Sequence, residues 1–166
     1  LIFLTREEFD RGEAHEKWRD PDHYFIPAGG FGEKGAQGAA GILDIPEKKY
    51  DFIACAVGTG TTLAGLICHA CRTQQLLGIS ALKGHAELEE NIQQLCKTSF
   101  NNWTLLRDFH FGGYARYDST LIRFMNEFYA ETGIPSDFVY TGKLFYAIHT
   151  LLQQGYFPAA ASVLLI

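Results

Sequence analysis

The sequence lacks the basic charge typical of nucleic-acid-binding proteins and the long apolar runs typical of membrane proteins. Its 14 Lys and Arg residues are outnumbered by 19 Asp and Glu residues, so the net charge is −5 and there is no basic excess of the kind that binds nucleic acid. No apolar run is long enough to span a bilayer and no signal peptide opens the chain, so we expect a cytoplasmic protein with no membrane partner. Of the 166 residues, 47% are hydrophobic, which is typical of one globular domain with a real core.

Cysteine is also scarce, and its spacing argues against a metal site. The four cysteines include one CxxC pair, Cys68 and Cys71, and no second pair follows at zinc-finger spacing. Because the pair falls within a helical pattern, we predict two buried or half-buried thiols rather than metal ligands or a redox pair. The six histidines likewise show no spacing typical of metal ligands.

The most informative stretch is "VGTGTTLAG", residues 57–65. The run before it is rich in β-branched, aromatic and small apolar residues, as in a buried strand, and the run after it has apolar residues at helical spacing. The glycines therefore lie in a strand-to-helix turn, where the first N–H groups of the helix have no partner inside it and the helix dipole is positive. Such a turn could cradle a phosphate with backbone N–H groups and hydroxyls. The candidate ligands are Gly58, Thr59, Gly60, Thr61 and Thr62.

Two common phosphate-binding motifs do not match this stretch. A P-loop needs a lysine beside a Ser or Thr at the end of its glycine loop, and no lysine occurs between Lys49 and Lys83. The dinucleotide fingerprint GxGxxG would place its third glycine at position 63, which is Leu63. From these residues alone, a tight turn with a capped helix is as good an interpretation as an anion site.

Segments with strand and helix patterns alternate along the chain. The predicted strands are 1–4, 24–26, 50–57, 76–82, 103–109 and 162–166, and the predicted helices are 5–18, one starting near Lys34, 63–74, 86–96, 119–132 and 142–154. Alternation of this kind predicts an α/β fold, a three-layer sandwich with a mostly parallel sheet and helices on both faces. In such sheets ligands bind at the carboxyl ends of the strands, where the "VGTGTTLAG" turn would lie.

The chain reads as a single α/β domain over residues 1–166, without repeats or low-complexity linkers. It begins with "LIFL" and stops at "SVLLI", both strand-like and both apolar. We therefore expect a piece excised from a longer polypeptide.

Four stretches in this order resemble the motifs of one enzyme family: "YFIPAGGFGEKGAQG", "AVGTGTTLAG", "HFGGYA" and "DFVYTGK". The family is that of 1-aminocyclopropane-1-carboxylate deaminases and D-cysteine desulfhydrases, which are pyridoxal-phosphate enzymes of the tryptophan synthase β-like fold. The resemblance covers nearly all of the chain from Tyr24 onward. It implies that the turn at residues 58–62 binds the phosphate of pyridoxal 5'-phosphate, that the substrate is a small amino acid, and that the enzyme is a homodimer.

The resemblance also implies roles for three side chains near the substrate. Tyr140 of "VYTGK" would face the substrate, and Thr141 would lie at the pyridine nitrogen of the cofactor. Tyr114 of "GGYA" would line the same site, where its phenol could assist proton transfer or orient the substrate, and Tyr117 is a less favoured candidate. For Tyr140 the structural alternative is a buried aromatic ring whose hydroxyl is satisfied by the protein.

The residue at the pyridine nitrogen separates two reactions in this family, since the deaminases carry a glutamate there and the desulfhydrases a threonine. A carboxylate favours a protonated ring, whereas a neutral hydroxyl is expected to bond to an unprotonated ring, which is a weaker electron sink. Because this chain has Thr141, we predict D-cysteine desulfhydrase-like β-elimination, giving pyruvate, sulfide and ammonia. The alternative is opening of the cyclopropane ring of 1-aminocyclopropane-1-carboxylate, giving 2-oxobutyrate and ammonia.

The chain departs from the family pattern in two places. Phe31 and Gly32 stand where the family usually has a Ser-Asn-like pair, which bears on the range of substrates. No stretch matches the signature of the lysine to which these enzymes attach the cofactor, so we expect that lysine outside these residues. The lysines without that context are Lys34, Lys83, Lys97 and Lys143. Two other functions stay open, a non-catalytic domain that keeps the phosphate loop and a nucleotide-binding α/β domain.

Overall fold

The computed structural model describes residues 5–11, 22, 24–44, 50–96 and 101–166. Within these residues it is an α/β protein with short 3-10 turns before and after its second helix, at Ala28–Gly30 and Gly41–Leu43. The helices and strands are, in chain order, α1 (Arg6–Asp10), α2 (Glu33–Ala40), β1 (Phe52–Val57), α3 (Thr61–His69), β2 (Gln75–Ser80), α4 (Leu88–Cys96), β3 (Trp103–Leu106), α5 (Ser119–Thr132), α6 (Thr141–Gln153) and β4 (Val163–Leu165).

The four strands form one parallel sheet in the order β3-β2-β1-β4. Helix α3 connects β1 to β2 and α4 connects β2 to β3, after which α5 and α6 bring the chain back to the other side of β1. The direction of winding therefore reverses at β1. Ligands of open parallel sheets bind in the crevice beyond the carboxyl ends of the strands at such a reversal, and the turn after β1 lies there.

Each face of the sheet carries its own apolar core. On one face, alternate β1 residues such as Ile53 and Val57 pack with α2, α3 and α4, including Leu66 and Ile92. On the other face, the intervening β1 residue Ala54 packs with β2 and with the apolar side of α6. Because side chains alternate across a strand, one short buried strand supplies both cores. The predicted three-layer α/β fold is confirmed.

Helices α2 and α3 touch through their backbones. A side chain at Gly65 of α3 would collide with the carbonyl oxygen of Ala36 and would lie 2.8 Å from the Cβ of Ala39 on α2. Only the hydrogen of glycine fits there, so these helices pack more closely than helices separated by side chains. This contact fixes the glycine-rich segment before α2 beside the turn that precedes α3.

Local sequence signals set several helix ends. Thr5 and Glu8 form the predicted capping box of α1, in which the Thr5 hydroxyl accepts from the Glu8 N–H at 3.2 Å. Asp118 caps α5 by accepting from the N–H groups of Thr120 and Leu121, and Gly133 ends the same helix with φ of 70°. The predicted strand at 1–4 and most of the predicted helix at 5–18 lie outside the described residues.

The predicted strand at 24–26 is wrong. The segment is extended but pairs with no described strand, and Tyr24 and Ile26 are 67% and 70% exposed. Its aromatic and β-branched residues have high strand propensity. That propensity reflects packing against neighbours in a sheet, and this segment has no such neighbours among the described residues. The next helix begins at Glu33, as predicted near Lys34, so Gly35 and Gly38 lie in a helix rather than in a loop.

Two further predictions failed because helical spacing was extended too far. Helix α3 ends at His69, and the thiols of Cys68 and Cys71 are exposed rather than buried or half-buried. On α6, Leu151 is buried as predicted, but Leu152 is 57% exposed and lies off the core face. Adjacent residues in the last turn of a helix point to different sides, so an apolar residue there is not necessarily buried.

Candidate functional site

The turn between β1 and α3 presents hydroxyls and backbone N–H groups at the carboxyl end of the sheet. Gly60 has φ of 90° and serves as the N-cap of α3, a left-handed conformation that suits glycine. The hydroxyls of Thr59 and Thr61 are 2.9 Å apart and hydrogen-bonded to each other.

The N–H groups of this turn are free to bind an anion. Those of residues 58–62 donate no hydrogen bond within the described part of the chain, and the first turn of α3 carries no acidic residue. The turn encloses a concavity of about 30 Å³ lined by residues 56–63. That volume suits a small group such as a single phosphate and is far below the several hundred Å³ typical of a whole coenzyme pocket.

The glycine-rich segment before α2 covers one side of the turn. A Cβ at Gly29 would lie 2.7 Å from the Cγ2 of Thr59, and a Cβ at Gly35 would lie 2.9 Å from the Cγ2 of Thr61. Gly29 also has φ of 64°, which a residue with a side chain rarely adopts. Two glycine-rich motifs that are distant in sequence therefore meet over the pair of threonine side chains.

Tyr140, the residue before α6, covers the opposite side of the turn. A Cβ at Gly58 would lie 3.1 Å from the Tyr140 Oη and 3.3 Å from its Cε1, so the glycine makes room for the ring. The ring of Tyr114 meets Tyr140 edge-on, with centroids 6.1 Å apart. The less favoured Tyr117 packs instead against Phe138 at 4.8 Å.

The Tyr140 phenol keeps its proton, and no described residue is its hydrogen-bond partner. Its hydroxyl makes no hydrogen bond within the described residues, although the ring is half-buried. Burial raises the pKa of Tyr140, and the neighbouring Tyr114 and Asp137 raise it further. A satisfied structural tyrosine, the alternative considered from the sequence, would bond through its hydroxyl, and no described residue supplies that bond.

The Thr141 hydroxyl is engaged by a residue that the sequence analysis did not select. Asp137 lies four residues earlier, and its carboxylate accepts the Thr141 hydroxyl proton at 2.5 Å, while the Asp137 N–H donates to the same hydroxyl oxygen at 2.8 Å. A threonine hydroxyl has one proton and two lone pairs. Toward any further partner, Thr141 therefore presents one lone pair and no proton.

The Asp137 carboxylate also caps α6. It accepts from the N–H groups of Val139, Tyr140 and Thr141 at 2.8, 2.7 and 3.1 Å. Partial burial would raise the pKa of Asp137, but the hydrogen bonds from Thr141, Tyr140 and Val139 together hold it below its usual value. A polar residue just before a helical pattern is a capping signal, and that signal could have identified Asp137.

Lys143 is a second site residue whose placement the sequence did not reveal. It is completely buried in α6, and its Nζ donates to the carbonyl of Gly113 at 2.7 Å and to that of Ala81 at 3.4 Å. Burial lowers the pKa of Lys143, an effect that Asp137 opposes. Sequence gives no signal for this, because a lysine on an apolar helix usually reaches solvent.

The structure thus brings most of the predicted site residues to one end of the sheet. Tyr140 contacts both Gly58 of the turn and Tyr114, and Thr141 starts the helix that follows Tyr140. Across the described ranges, no cluster of three or more His, Cys, Asp or Glu side chains could hold a metal ion. Among the same residues, no helix combines the length and the apolar character needed to cross a membrane.

No family model matches the chain. Curated relatives from Pyrococcus furiosus and Pyrococcus horikoshii, each named "Putative 1-aminocyclopropane-1-carboxylate deaminase", are 29% and 30% identical to it over 163 and 157 residues. Each alignment covers 86% of this chain and 48% of the relative. A relative of the same name from Thermotoga maritima is 26% identical over 87% of this chain and 54% of its own length. The chain therefore spans about half the length of the curated relatives it matches.

A solved structure agrees with these relatives. The crystal structure of an ACC deaminase homologue superimposes with a TM-score of 0.77 over 100% of this chain and 57% of its own, at 23% identity. The likeness to this structure shows the fold. Together with the named relatives, it confirms the family resemblance that the four motifs predicted.

Proposed function

We propose that this chain is the phosphate- and substrate-binding part of a pyridoxal-phosphate enzyme that releases ammonia from a small amino acid and leaves a 2-oxo acid. The observation that carries the proposal is the meeting of Tyr140 and the turn at residues 58–62. Among the described residues, the phenol has no hydrogen-bond partner, and it lies against a turn whose N–H groups donate no hydrogen bond. The names of the relatives supply the class of reaction.

The residues of the turn fit the phosphate of the cofactor. Gly58, Thr59 and Gly60 would contribute N–H groups, and Thr61 and Thr62 would add N–H groups and hydroxyls at a helix N-terminus. The concavity of about 30 Å³ accommodates a phosphate but not a pyridine ring. The ring would therefore lie outside the turn, on the side where Tyr140 and Tyr114 meet.

The two tyrosines would act beside the reacting atoms of the substrate, Tyr140 as a proton donor and Tyr114 as a positioning residue. Pyridoxal phosphate, when bound, supplies an electron sink for the bond that breaks at the substrate α-carbon. A phenol keeps its proton at neutral pH, and burial raises the pKa of Tyr140 further, so its Oη would donate that proton to the departing β-substituent. Tyr114 is 61% exposed, and its edge-on ring would orient Tyr140 and border the substrate.

Thr141 supports β-elimination from D-cysteine as the first candidate reaction. The resemblance places a threonine at the ring nitrogen in desulfhydrases, and expulsion of a thiolate needs only a weak electron sink. The α-proton and the β-thiolate would leave, and hydrolysis would give pyruvate, sulfide and ammonia. The cofactor-linking lysine would come from residues other than those printed here, since no lysine here has the family's context.

Two observations support opening of the cyclopropane ring as the second candidate. The curated relatives carry the name of 1-aminocyclopropane-1-carboxylate deaminases. In addition, the Asp137 carboxylate accepts the hydrogen bond of the Thr141 hydroxyl, so Thr141 would offer an acceptor to a ring nitrogen, as a glutamate would. The following assay decides between the two reactions.

The experiment is a side-by-side assay of the natural full-length protein loaded with pyridoxal phosphate. D-cysteine and 1-aminocyclopropane-1-carboxylate are supplied separately, and sulfide, ammonia and 2-oxo acid are measured. We expect sulfide and pyruvate from D-cysteine at least about tenfold faster than 2-oxobutyrate from the cyclopropane substrate. Faster ring opening would replace the first candidate by the second, and a protein that binds the cofactor but turns over neither amino acid would contradict both.

A further inference from the structure

Lys143 is a fully buried charged side chain that the proposed chemistry does not use. It is 0% exposed, and the other polar side chains buried among the described residues, Thr61 and Ser80, are uncharged. Within the described residues no carboxylate accepts a hydrogen bond from its Nζ, which bonds only to the carbonyls of Ala81 and Gly113. Burial of an ammonium without a carboxylate is unfavourable unless its hydrogen bonds are firmly made. The two carbonyls are therefore the partners that make this burial tolerable.

The two carbonyls belong to separate parts of the chain. Ala81 directly follows β2, and Gly113 lies in the turn at residues 110–115. That turn is locally strained, because non-glycine residues in the left-handed region persist only where their surroundings hold them. Its residues with positive φ are Phe111, Gly112, Gly113 and Ala115, with φ of 52°, 96°, 119° and 53°. Lys143 ties this turn to the end of the sheet.

We infer that Lys143 is a positioning residue, which holds the Gly113 carbonyl so that Tyr114 faces Tyr140. Tyr114 follows Gly113 directly, and its ring contacts Tyr140, which itself lies against Gly58. The chain of contacts thus runs from the buried ammonium to the phosphate turn. The catalytic consequence rests on the proposed function, whereas the anchoring of the turn does not.

The test replaces Lys143 by methionine, which keeps the length and apolar stem of the side chain and removes the donor. Hydrogen exchange and 19F NMR of fluorotyrosine-labelled full-length protein are recorded without cofactor or substrate. We expect amide protection at residues 110–116 to fall by about tenfold or more, and the Tyr114 and Tyr140 signals to shift. The melting temperature should fall moderately, because two carbonyls lose their donor while an ammonium is no longer buried without a carboxylate.

The matched control is Lys83→Met. Lys83 is exposed, and its Cβ lies beside the same turn, 3.3 Å from where a Gly113 Cβ would be, so this variant removes a nearby charge without touching the anchor. We expect it to leave both readouts unchanged. Unaltered protection at 110–116 in Lys143→Met would overturn the inference, as would a loss spread evenly over β2 and α6.

A measurement on the unmodified protein tests the inference even if Lys143→Met does not fold. In protein labelled with 15N-lysine, the Lys143 ammonium should give a slowly exchanging signal with nuclear Overhauser contacts to Gly113 and Ala81. An ammonium that exchanges as fast as those of surface lysines would overturn the inference. The hydrogen-exchange, 19F and 15N measurements are all made without pyridoxal phosphate, so failure of the inference and failure of the proposed function can be told apart.

Discussion

At the scale of single residues, the proposed chemistry depends most on the hydroxyl of Tyr140. Its ring packs against Gly58 and Tyr114, while its hydroxyl has no partner within the described residues. Packing and proton donation therefore reside in different parts of one side chain. A substitution that removes only the oxygen separates the two.

Replacing Tyr140 by phenylalanine should lower turnover without loosening the cofactor. The ring stays in place, but the proton donor is lost, and general acid catalysis contributes about 10²- to 10⁴-fold. We expect kcat to fall within that range and the Kd for pyridoxal phosphate to change less than about threefold. Steady-state kinetics and fluorescence titration of the full-length protein measure the two.

Tyr117→Phe is the matched control for this substitution, since Tyr117 contacts Phe138 and not Tyr140. It should retain nearly full activity. Equal losses of turnover and of cofactor affinity in Tyr140→Phe would indicate a structural tyrosine instead.

The sequence predicted some residues of this site and missed others. The strand-to-helix turn at residues 58–62 followed from its glycines and hydroxyls, because the orphan N–H groups of a helix start are a local property. Its assignment to the cofactor phosphate came from the family resemblance. Tyr140 and Tyr114 needed the family resemblance, because nothing in a lone tyrosine indicates which surface it faces. Asp137 was missed although its partners lie only two to four residues away in sequence. Lys143 was missed because its partners are set by tertiary contacts and lie 62 and 30 residues away.

At the scale of elements, the start of α3 depends on Gly60, which is constrained by its backbone conformation and by the side chain packed against it. Gly60 has φ of 90°, and a Cβ there would lie 2.6 Å from the Cγ1 of Ile92 on α4. The turn can therefore neither accept a side chain nor easily change its conformation. The position of the N–H groups that we propose for phosphate binding follows from this constraint.

Gly60→Ala should destabilise the protein and weaken phosphate binding. The left-handed conformation costs about 1–2 kcal/mol for a residue with a Cβ, and overpacking against Ile92 adds about 1–3 kcal/mol. The control is Gly84→Ala, where φ is 77° but nothing lies within 4 Å of the new Cβ. Urea unfolding of both variants measures the difference, and equal destabilisation would contradict the steric contribution of Ile92.

The cap of α6 should make stability depend on pH in the acid range. The folded-state pKa of Asp137 is lowered by its hydrogen bonds, so its contribution is present above the ordinary value of 3.8 and is lost as the pH falls through the lower, folded value. Asp137→Ala should be about 1 kcal/mol less stable than the unmodified protein at pH 7. That difference should shrink below pH 3.8.

Unfolding at pH 7, 5 and 3 tests this expectation. Glu131→Ala removes an exposed carboxylate from α5 and serves as the control for a change in surface charge. A difference between the unmodified protein and Asp137→Ala that stays constant down to pH 3 would show that the carboxylate does not supply the cap.

Long periodic elements were predicted better than short ones. The bounds of α5 were predicted as found, since Asp118 and Gly133 mark its ends in the sequence. The strand at 24–26 was wrong, because three apolar letters become a strand only when a neighbouring strand is present. Cys68 and Leu152 were misplaced near helix ends, where periodicity no longer decides which side meets the core.

At the scale of the whole molecule, the reversal of the sheet at β1 brings together segments that are far apart in sequence. The phosphate turn follows β1, while Tyr140 precedes the helix that leads back to β4 on the other side of β1. Binding a ligand across this point should therefore stabilise the whole described fold rather than one loop.

Pyridoxal 5'-phosphate should raise the thermal stability of the full-length protein, and pyridoxal without the phosphate should do so far less. A ligand at 100 times its Kd stabilises by about 2.7 kcal/mol, and loss of the phosphate removes the contacts of the turn at residues 58–62. Calorimetry at matched ligand concentrations checks this. Equal shifts with the two ligands would contradict the assignment of the turn.

The backbone contact between α2 and α3 has an evolutionary consequence. Gly65 leaves no space beyond a hydrogen against Ala36 and Ala39, and the same two helices carry the segments that meet at the threonine pair. A larger residue at position 39 or 65 would push the helices apart and separate the two motifs. In divergent descendants of this sequence, positions 39 and 65 should therefore stay small or change together, and this correlated variation would be visible without any measurement on the protein itself.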